Sequence, residues 1–239
     1  MDVRSISWVE YSETRERITL VIIPVGAVEA YGPHLPLGTD GLVVERIAQL
    51  LAEKVPAFVA PVVSVGYSKS FDAFPGTLTV SPSALEEYVG GLAESFVRHG
   101  ARRILFLNGH AGNVAPLGFL MDRLEIQHQV HCAQVDFWRY IQPLVSSFME
   151  DTVRPFGHAS EAMTSIMLFL MPEKVHLERL NPPFPVSPLP APGLMIPRWP
   201  SPPQSIAVSG NPGLGTAEKG GQIVDAILAA LVEFTRTWE

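Results

Sequence analysis

The apolar run Thr19-Leu20-Val21-Ile22-Ile23-Pro24 is short, rich in β-branched residues and free of charge, which is the pattern of a buried strand. Similar runs alternate along the chain with longer stretches in which apolar residues recur at helical spacing. This order is typical of an α/β domain, in which helices pack on a mainly parallel sheet. We therefore expect an α/β fold with a mainly parallel sheet that includes this strand.

The remaining elements follow from the same two patterns. Strands are predicted at residues 19–24, 58–63, 103–107 and 130–136, with a weaker one at 205–208. Helices are predicted at 42–55, 84–99, 114–128, about 160–170 and about 218–238. Ser81-Pro82 fits an N-cap followed by the first helical residue, and Gly100 fits a helix C-terminus.

Length, charge and cysteine content limit the possible classes of protein. A chain of 239 residues with 47% hydrophobic residues predicts one compact domain over 1–239. The net charge of -7, without a run of Lys or Arg, argues against nucleic acid or a membrane surface as partner and favours a small substrate. Cys132 is the only cysteine, and the N-terminal residues lack a signal-peptide profile, which predicts a cytoplasmic protein without a transmembrane segment.

A proline-dense stretch occupies residues 181–203 and also holds several large apolar side chains. A solvated linker has little reason to carry such side chains, so an ordered loop is predicted. It would cover the active site or pack against another subunit. A proline-rich surface excursion is the alternative.

The loop after the first strand concentrates groups that bind metal ions. It is Glu29-Ala30-Tyr31-Gly32-Pro33-His34-Leu35-Pro36-Leu37-Gly38-Thr39-Asp40, and Asn108-Gly109-His110 leaves the third predicted strand. Because the carboxyl ends of parallel strands meet at one edge of the sheet, Glu29, Asp40 and His110 are expected to converge there. Carboxylate oxygens with an imidazole nitrogen suit a divalent ion such as zinc, manganese or iron.

Each of these residues also has a purely structural interpretation. Asp40 could cap a helix that begins at about Gly41, Glu29 could bind backbone amides, and His110 could be a core histidine beside a glycine turn. The shared position at one sheet edge favours the metal site over these alternatives.

Five ordered motifs resemble those of the creatininase family and together span nearly the whole chain. They are Pro24-Val25-Gly26-Ala27-Val28-Glu29 leading into Gly32-Pro33-His34-Leu35-Pro36-Leu37-Gly38-Thr39-Asp40, Phe74-Pro75-Gly76-Thr77, Asn108-Gly109-His110, His158-Ala159-Ser160-Glu161 with Thr164-Ser165, and Thr216-Ala217-Glu218-Lys219-Gly220. The resemblance implies a three-layer α/β/α sandwich, a homohexamer, and one or two Zn or Mn ions per chain that activate water against an amide or similar bond.

The resemblance also implies roles for individual residues. Glu29, Asp40 and His110 fall on family metal ligands. Creatininase itself has a carboxylate at the position of Gly112, and relatives with glycine there generally carry the glutamate that is Glu161 here, so Glu161 is expected as a fourth ligand. His158 falls on a histidine that shuttles protons beside the substrate.

Three positions depart from the family pattern. Tyr31 replaces a usual metal-binding histidine, Phe71 replaces a frequent histidine, and Met163 replaces a frequent glutamate. Tyr31 is predicted to act in catalysis, with its hydroxyl donated to the substrate or to metal-bound water. With a phenol in place of that imidazole, one tightly bound ion per chain is expected.

The leading hypothesis is therefore a metal-dependent amidohydrolase acting on a cyclic amide, a formamide or a short peptide. A catalytically silent homologue that serves as a scaffold or ligand-binding protein is the alternative. Gly210-Asn211-Pro212-Gly213-Leu214-Gly215-Thr216 has glycine spacing similar to that of a phosphate loop, but Thr216 stands where the loop lysine belongs. A glycine-rich turn before the last helix is the better interpretation.

Overall fold

The sheet at the centre of the molecule has four parallel strands in the order β2-β1-β3-β4. The structure, a computed structural model, describes residues 1–184 and 206–238. The strands are β1 (Leu20–Val25), β2 (Ala57–Val59), β3 (Arg103–Asn108) and β4 (His131–Asp136). β1 lies in the middle, paired with β2 on one side and β3 on the other, and it is buried along its whole length. The α/β class predicted from the sequence is confirmed.

Helices connect and cover the strands. They are α1 (Trp8–Thr14), α2 (Thr39–Ala52), α3 (Pro82–Arg98), α4 (Val114–His128), α5 (Phe137–Tyr140), α6 (Gln142–Val145), α7 (Glu161–Leu170) and α8 (Ala217–Thr237). Ser81 caps α3 with Pro82 in the first turn, and Gly100 follows the helix with φ of 105°, as predicted. No helix among the described residues is both long and apolar enough to cross a membrane.

Two hydrophobic cores lie on opposite faces of the sheet, because successive strand residues point to opposite sides. Leu20 and Ile22 join the core beneath α2, α7 and α8. Val21 and Ile23 join the core beneath α3 and α4. The result is the predicted three-layer α/β/α arrangement.

The direction of the connections changes at β1. The chain passes from β1 through α2 to β2 on one side, and from β2 through α3 to β3 on the other. Loops leaving β1 and β3 therefore turn toward opposite faces of the sheet, which opens a crevice beyond their carboxyl ends. The candidate site residues of the sequence follow these two strands.

Two strand predictions need correction. The second strand ends at Val59 because Pro61 has no N–H to donate, and only an isolated bridge joins Val63 to Val25. The strand predicted at 205–208 is wrong for the described residues 206–208, since Ala207 has a φ of 51°, which no extended strand accommodates. The proline-dense loop predicted at 181–203 lies, beyond Phe184, outside the described residues.

Candidate metal centre

The carboxyl ends of β1 and β3 bring three of the predicted ligands together. Glu29 follows β1, Asp40 is the second residue of α2, and His110 follows β3. Gly26 allows this approach, because a Cβ there would lie 2.3 Å from the Cα of Gly41 at the start of α2. The sheet and the first turn of α2 thus fix the two carboxylates relative to each other.

Glu29, Asp40 and His110 form a compact group whose ligand atoms lie within 4.8 Å of one another. The Nδ1 atom of His110 is 3.2 Å from Asp40 Oδ2 and 3.3 Å from Glu29 Oε1. Both carboxylates are buried, with exposed fractions of 1% for Glu29 and 0% for Asp40. Within residues 1–184 and 206–238, the Oε2 atom of Glu29 and the Oδ2 atom of Asp40 have no hydrogen-bond partner. Two buried oxygens without a donor, beside an imidazole nitrogen, fit a divalent cation.

The orientation of His110 is set by its other ring nitrogen. Nε2 lies 2.9 Å from the carbonyl oxygen of Tyr67, and since a carbonyl only accepts, Nε2 carries a proton. Asn108 holds the backbone of His110, accepting from its N–H at 3.1 Å and donating to its carbonyl at 2.8 Å. Such supporting hydrogen bonds are typical of metal-binding histidines, and they leave Nδ1 directed at the carboxylates.

Asn113 ties together the loops that surround the centre. Its side-chain amide donates to the carbonyl of Gly26 at 3.0 Å and to Asn108 at 3.2 Å, and its oxygen accepts from the N–H of Tyr67 at 3.0 Å. One buried side chain therefore links the segments that follow β1, β2 and β3. The sequence interpretation missed this residue.

The three groups perturb one another's protonation. Burial opposes the charged form of Glu29, but hydrogen bonding and the charges of His110 and His158 outweigh it and lower the Glu29 pKa. Burial raises the pKa of Asp40, with the Glu29 charge adding to it. Burial opposes protonation of His110, yet the two carboxylates raise its pKa well above its usual range. Without a metal ion, a proton on Nδ1 supplies the positive charge that the carboxylates require.

Asp40 does not cap a helix. α2 begins at Thr39, its N-cap is Gly38, and no side chain makes a capping hydrogen bond there. The Oδ1 atom of Asp40 instead accepts from the hydroxyl of Tyr31, and from Nε1 of Trp138 at 3.2 Å. The capping alternative therefore fails.

Tyr31 is buried and its hydroxyl is bound to Asp40. Burial, followed by the charges of Asp40 and Glu29, raises the Tyr31 pKa well above its usual value, so the phenol stays neutral and acts as a donor. This corrects the expectation that the Tyr31 hydroxyl is directed at substrate or metal-bound water. Trp138, which shares its N–H between Asp40 and the carbonyl of Gly109, was missed in the sequence, although β4 ends two residues before it.

His158 lies next to the three predicted ligands. Its Nε2 is 2.7 Å from the carbonyl oxygen of Ala30 and donates to it, and its Nδ1 is 3.7 Å from Glu29 Oε1. The rings of Phe71 and Tyr31 pack against it, with centroids 4.3 Å and 4.2 Å away. The predicted proton-carrying histidine is thus at the centre, and Phe71, one of the three departures, forms an apolar wall beside it.

Glu161 is buried but is not brought to the other ligands. Its carboxylate accepts from Lys219 Nζ at 2.5 Å and from the backbone N–H groups of Glu150 and Asp151 at 2.7 to 3.1 Å. It does not belong to the group formed by Glu29, Asp40 and His110. This geometry corrects the expectation of Glu161 as a fourth ligand beside His110, because the chain supplies its own cation to this carboxylate.

The glycine-rich segment before α8 is a turn. Residues Pro212–Leu214 form a 3-10 helix, and Thr216 caps α8 by accepting from the N–H of Lys219. Lys219, the first lysine after the turn, binds Glu161. The nucleotide-binding interpretation has no support at this segment.

Comparison with known proteins identifies the family. The family model described as creatinine amidohydrolase matches residues 4–235. The chain belongs to the creatininase family. The creatinine amidohydrolase of Pseudomonas putida is 28% identical over 81% of this chain and 85% of that protein. The 3-dehydro-scyllo-inosose hydrolase of Thermotoga maritima is 32% identical over 70% of this chain but only 56% of that protein.

Solved structures agree on the fold over nearly the whole chain. The structure titled as the Mn form of creatininase has a TM-score of 0.76 at 25% identity, covering 98% of this chain and 97% of that chain. A Zn-Zn form of a creatininase variant has a TM-score of 0.79 at 25% identity, covering 98% and 96%. Family membership makes this chain a relative of metal-dependent amidohydrolases, and its buried group of three is the candidate metal-binding site.

Proposed function

We propose that the protein hydrolyses an amide bond of a small molecule with the aid of a divalent metal centre at Glu29, Asp40 and His110. The observation that carries the proposal is the pair of buried carboxylate oxygens, Glu29 Oε2 and Asp40 Oδ2, which lack a hydrogen-bond partner among the residues that the structure describes. Burying such oxygens without a partner is costly, and a cation removes that cost. Manganese and zinc, the ions of the related Mn and Zn-Zn creatininase structures, are the candidate ions.

A divalent ion bound there would polarise the substrate carbonyl and lower the pKa of a bound water toward neutrality. The protein's own part is to hold the donors rigidly and to move protons. His158 is proposed to take a proton at Nδ1 and pass it to the leaving nitrogen, because Nε2 is committed to the carbonyl of Ala30. Glu29, 3.7 Å away, would stabilise the imidazolium that forms.

The substrate is proposed to be a cyclic amide, a formamide or a short peptide. The related creatinine amidohydrolase acts on creatinine, and the related hydrolase of Thermotoga maritima acts on 3-dehydro-scyllo-inosose. Phe71, packed flat against His158, gives this centre an apolar wall that favours a substrate with a planar or apolar portion beside its scissile bond.

The test is a screen of amide substrates with protein stripped of metal and reloaded with Mn²⁺ or Zn²⁺. Metal-dependent turnover that is absent from the Asp40→Asn variant would support the proposal. A protein that binds metal at this centre, yet cleaves none of the three amide classes, would instead be a ligand-binding homologue.

Three further properties concern the whole protein. We propose a single domain over residues 1–239 and, from family resemblance, a homohexamer, which light scattering would test. A cytoplasmic location is proposed because Cys132, the only cysteine, can form no internal disulfide. Fractionation of the native host would test it.

A further inference from the structure

The two oxygens of Asp40 have different surroundings. Oδ2 lies 3.2 Å from Nδ1 of His110 and has no hydrogen-bond partner in the described part of the chain. Oδ1 accepts from the Tyr31 hydroxyl and from the indole N–H of Trp138, which it shares with the carbonyl of Gly109. A carboxylate that bridges two metal ions must offer one oxygen to each ion. In this structure Oδ2 of Asp40 is available to bind a metal ion, whereas Oδ1 already accepts two hydrogen bonds.

We infer that the centre holds a single divalent ion per chain, with Tyr31 and Trp138 occupying the Asp40 oxygen that a second ion would share. The inference rests on the proposed function, since it assumes that Glu29, Asp40 and His110 bind metal. It goes beyond that proposal by fixing the number of ions and by giving Tyr31 a positioning role.

Residue 112, which lies on the Nε2 side of His110, supplies no ligand for a second ion. A Cβ at Gly112 would lie 2.2 Å from the carbonyl oxygen of Tyr67 and 2.7 Å from His110 Nε2. No side chain ligand can therefore extend from residue 112 without displacing the Tyr67 carbonyl, which accepts the Nε2 proton of His110. Within residues 1–184 and 206–238, no second group of three carboxylate, imidazole or thiol ligands occurs.

Tyr31 and Trp138 thus act as positioning residues for Asp40. Their hydrogen bonds fix the rotation of the carboxylate, so that Oδ2 points toward His110. Loss of such a supporting hydrogen bond typically weakens metal binding by about 10 to 100-fold. Tyr31 should carry the larger share, because its hydroxyl has no second acceptor whereas the Trp138 N–H also binds Gly109.

The experiment loads metal-stripped wild-type protein with excess Mn²⁺, removes free ions by gel filtration and counts bound manganese per chain. One ion is expected, with the electron paramagnetic resonance spectrum of an isolated ion. Tyr31→Phe should still bind one ion, about 10 to 100-fold more weakly. Trp138→Phe should weaken binding less. Tyr88→Phe, which removes a hydroxyl from a tyrosine of α3 that is 58% exposed, is the matched control and should bind as wild type.

The outcomes separate this inference from the proposed function. Two ions per wild-type chain, with the spectrum of a coupled pair, would overturn the inference and leave metal-dependent hydrolysis standing. Unchanged Mn²⁺ affinity in a folded Tyr31→Phe variant would overturn the positioning role. Binding of no ion by any form of the protein would overturn the proposed function together with the inference.

Discussion

Two regions of this molecule bury carboxylates, and they neutralise them in different ways. At the N-terminus of α7, Glu161 is fully buried and accepts from Lys219 and from two backbone N–H groups. At the carboxyl ends of β1 and β3, Glu29 and Asp40 are equally buried, but the groups that can carry a positive charge beside them are imidazoles: His110 contacts both carboxylates and His158 lies 3.7 Å from Glu29. The first region contains its own counter-charge, whereas the second requires one from outside.

The difference separates a structural ion pair from a binding site on physical grounds. A buried charge is tolerated when it is paired and hydrogen-bonded. The nature of the partner then indicates whether the charged group has a structural role or a binding role. Glu161 joins the loop before α7 to the first turn of α8 through Lys219. The Oε2 atom of Glu29 and the Oδ2 atom of Asp40 make no hydrogen bond to another described residue. A bound cation would supply the missing partner for both oxygens.

Asp40→Asn should produce the largest effect. The amide keeps its single oxygen for the donors Tyr31 and Trp138 and places an N–H₂ group, which cannot bind a cation, where the ion needs a carboxylate oxygen. Bound metal should fall to near zero and turnover by more than the roughly hundredfold loss expected for a supporting residue. Metal analysis and the melting temperature with and without chelator would check this, since the fold should persist. Full metal content in this variant would remove Asp40 from the ligand set.

Lys219→Met should destabilise the protein without changing the number of metal ions bound per chain. It leaves the Glu161 carboxylate buried with only backbone donors, and breaking a buried pair costs about 3 to 5 kcal/mol. A loss nearer about 2 to 3 kcal/mol is expected here, because Glu161 keeps the N–H groups of residues 150 and 151. Urea unfolding would measure it, and the double variant Lys219→Met with Glu161→Gln should recover part of the loss. If Lys219→Met instead lowered the amount of bound metal, the ion pair of Glu161 would be shown to support the metal centre.

Raising the pH should lower the free energy of unfolding of the metal-free protein, because His110 loses its proton. The folded-state pKa of His110 lies well above the reference value of 6.5, so its protonated form stabilises the fold fully below pH 6.5. This stabilisation is lost as the pH rises through the folded pKa, with a slope of at most about 1.4 kcal/mol per pH unit. Melting temperatures of chelator-treated protein against pH would show the decline. In the metal-loaded protein the ion replaces that proton, so its melting temperature should not show this decline. The affinity of the metal-free protein for the ion should rise with pH, because the proton no longer competes.

Glu161→Gln should have the smallest effect on metal content, namely none. The amide fits the site of Lys219 less well than the carboxylate, so some stability is lost, about 1 to 2 kcal/mol. The number of bound ions per chain should equal that of wild type. A decrease like that of Asp40→Asn would restore Glu161 to the ligand set and erase the contrast between the two regions.

The sequence predicted what depends on local pattern and on the geometry of parallel strands. The bounds of α4 agree to the residue, and the N-cap at Ser81 is correct, because both depend on side chains close in sequence. Glu29, Asp40 and His110 converge because every strand of a parallel sheet ends at the same edge. Their convergence could therefore be predicted without knowing any contact between residues distant in sequence.

Other features depend on contacts that no local pattern records. The pairing of Glu161 with Lys219 spans 58 residues and is decided by how α7 packs on α8. The direction of the Tyr31 hydroxyl depends on where α2 places Asp40. The extended pattern near Val208 failed because Ala207 adopts a left-handed conformation that alanine rarely takes. Trp138 could have been found, since it follows the end of β4 at the same edge.

The side-chain amide of Asn113 has a consequence for protein engineering. Because it bonds to Gly26 after β1, to Tyr67 after β2 and to Asn108 at the end of β3, a loop exchange that removes Asn113 would break the contacts to all three. Libraries that replace the loop carrying Asn113 should therefore yield mostly damaged proteins. Randomising Phe71, which packs on His158 but has no bond to Asn113, offers a route to altered substrate range with the scaffold intact.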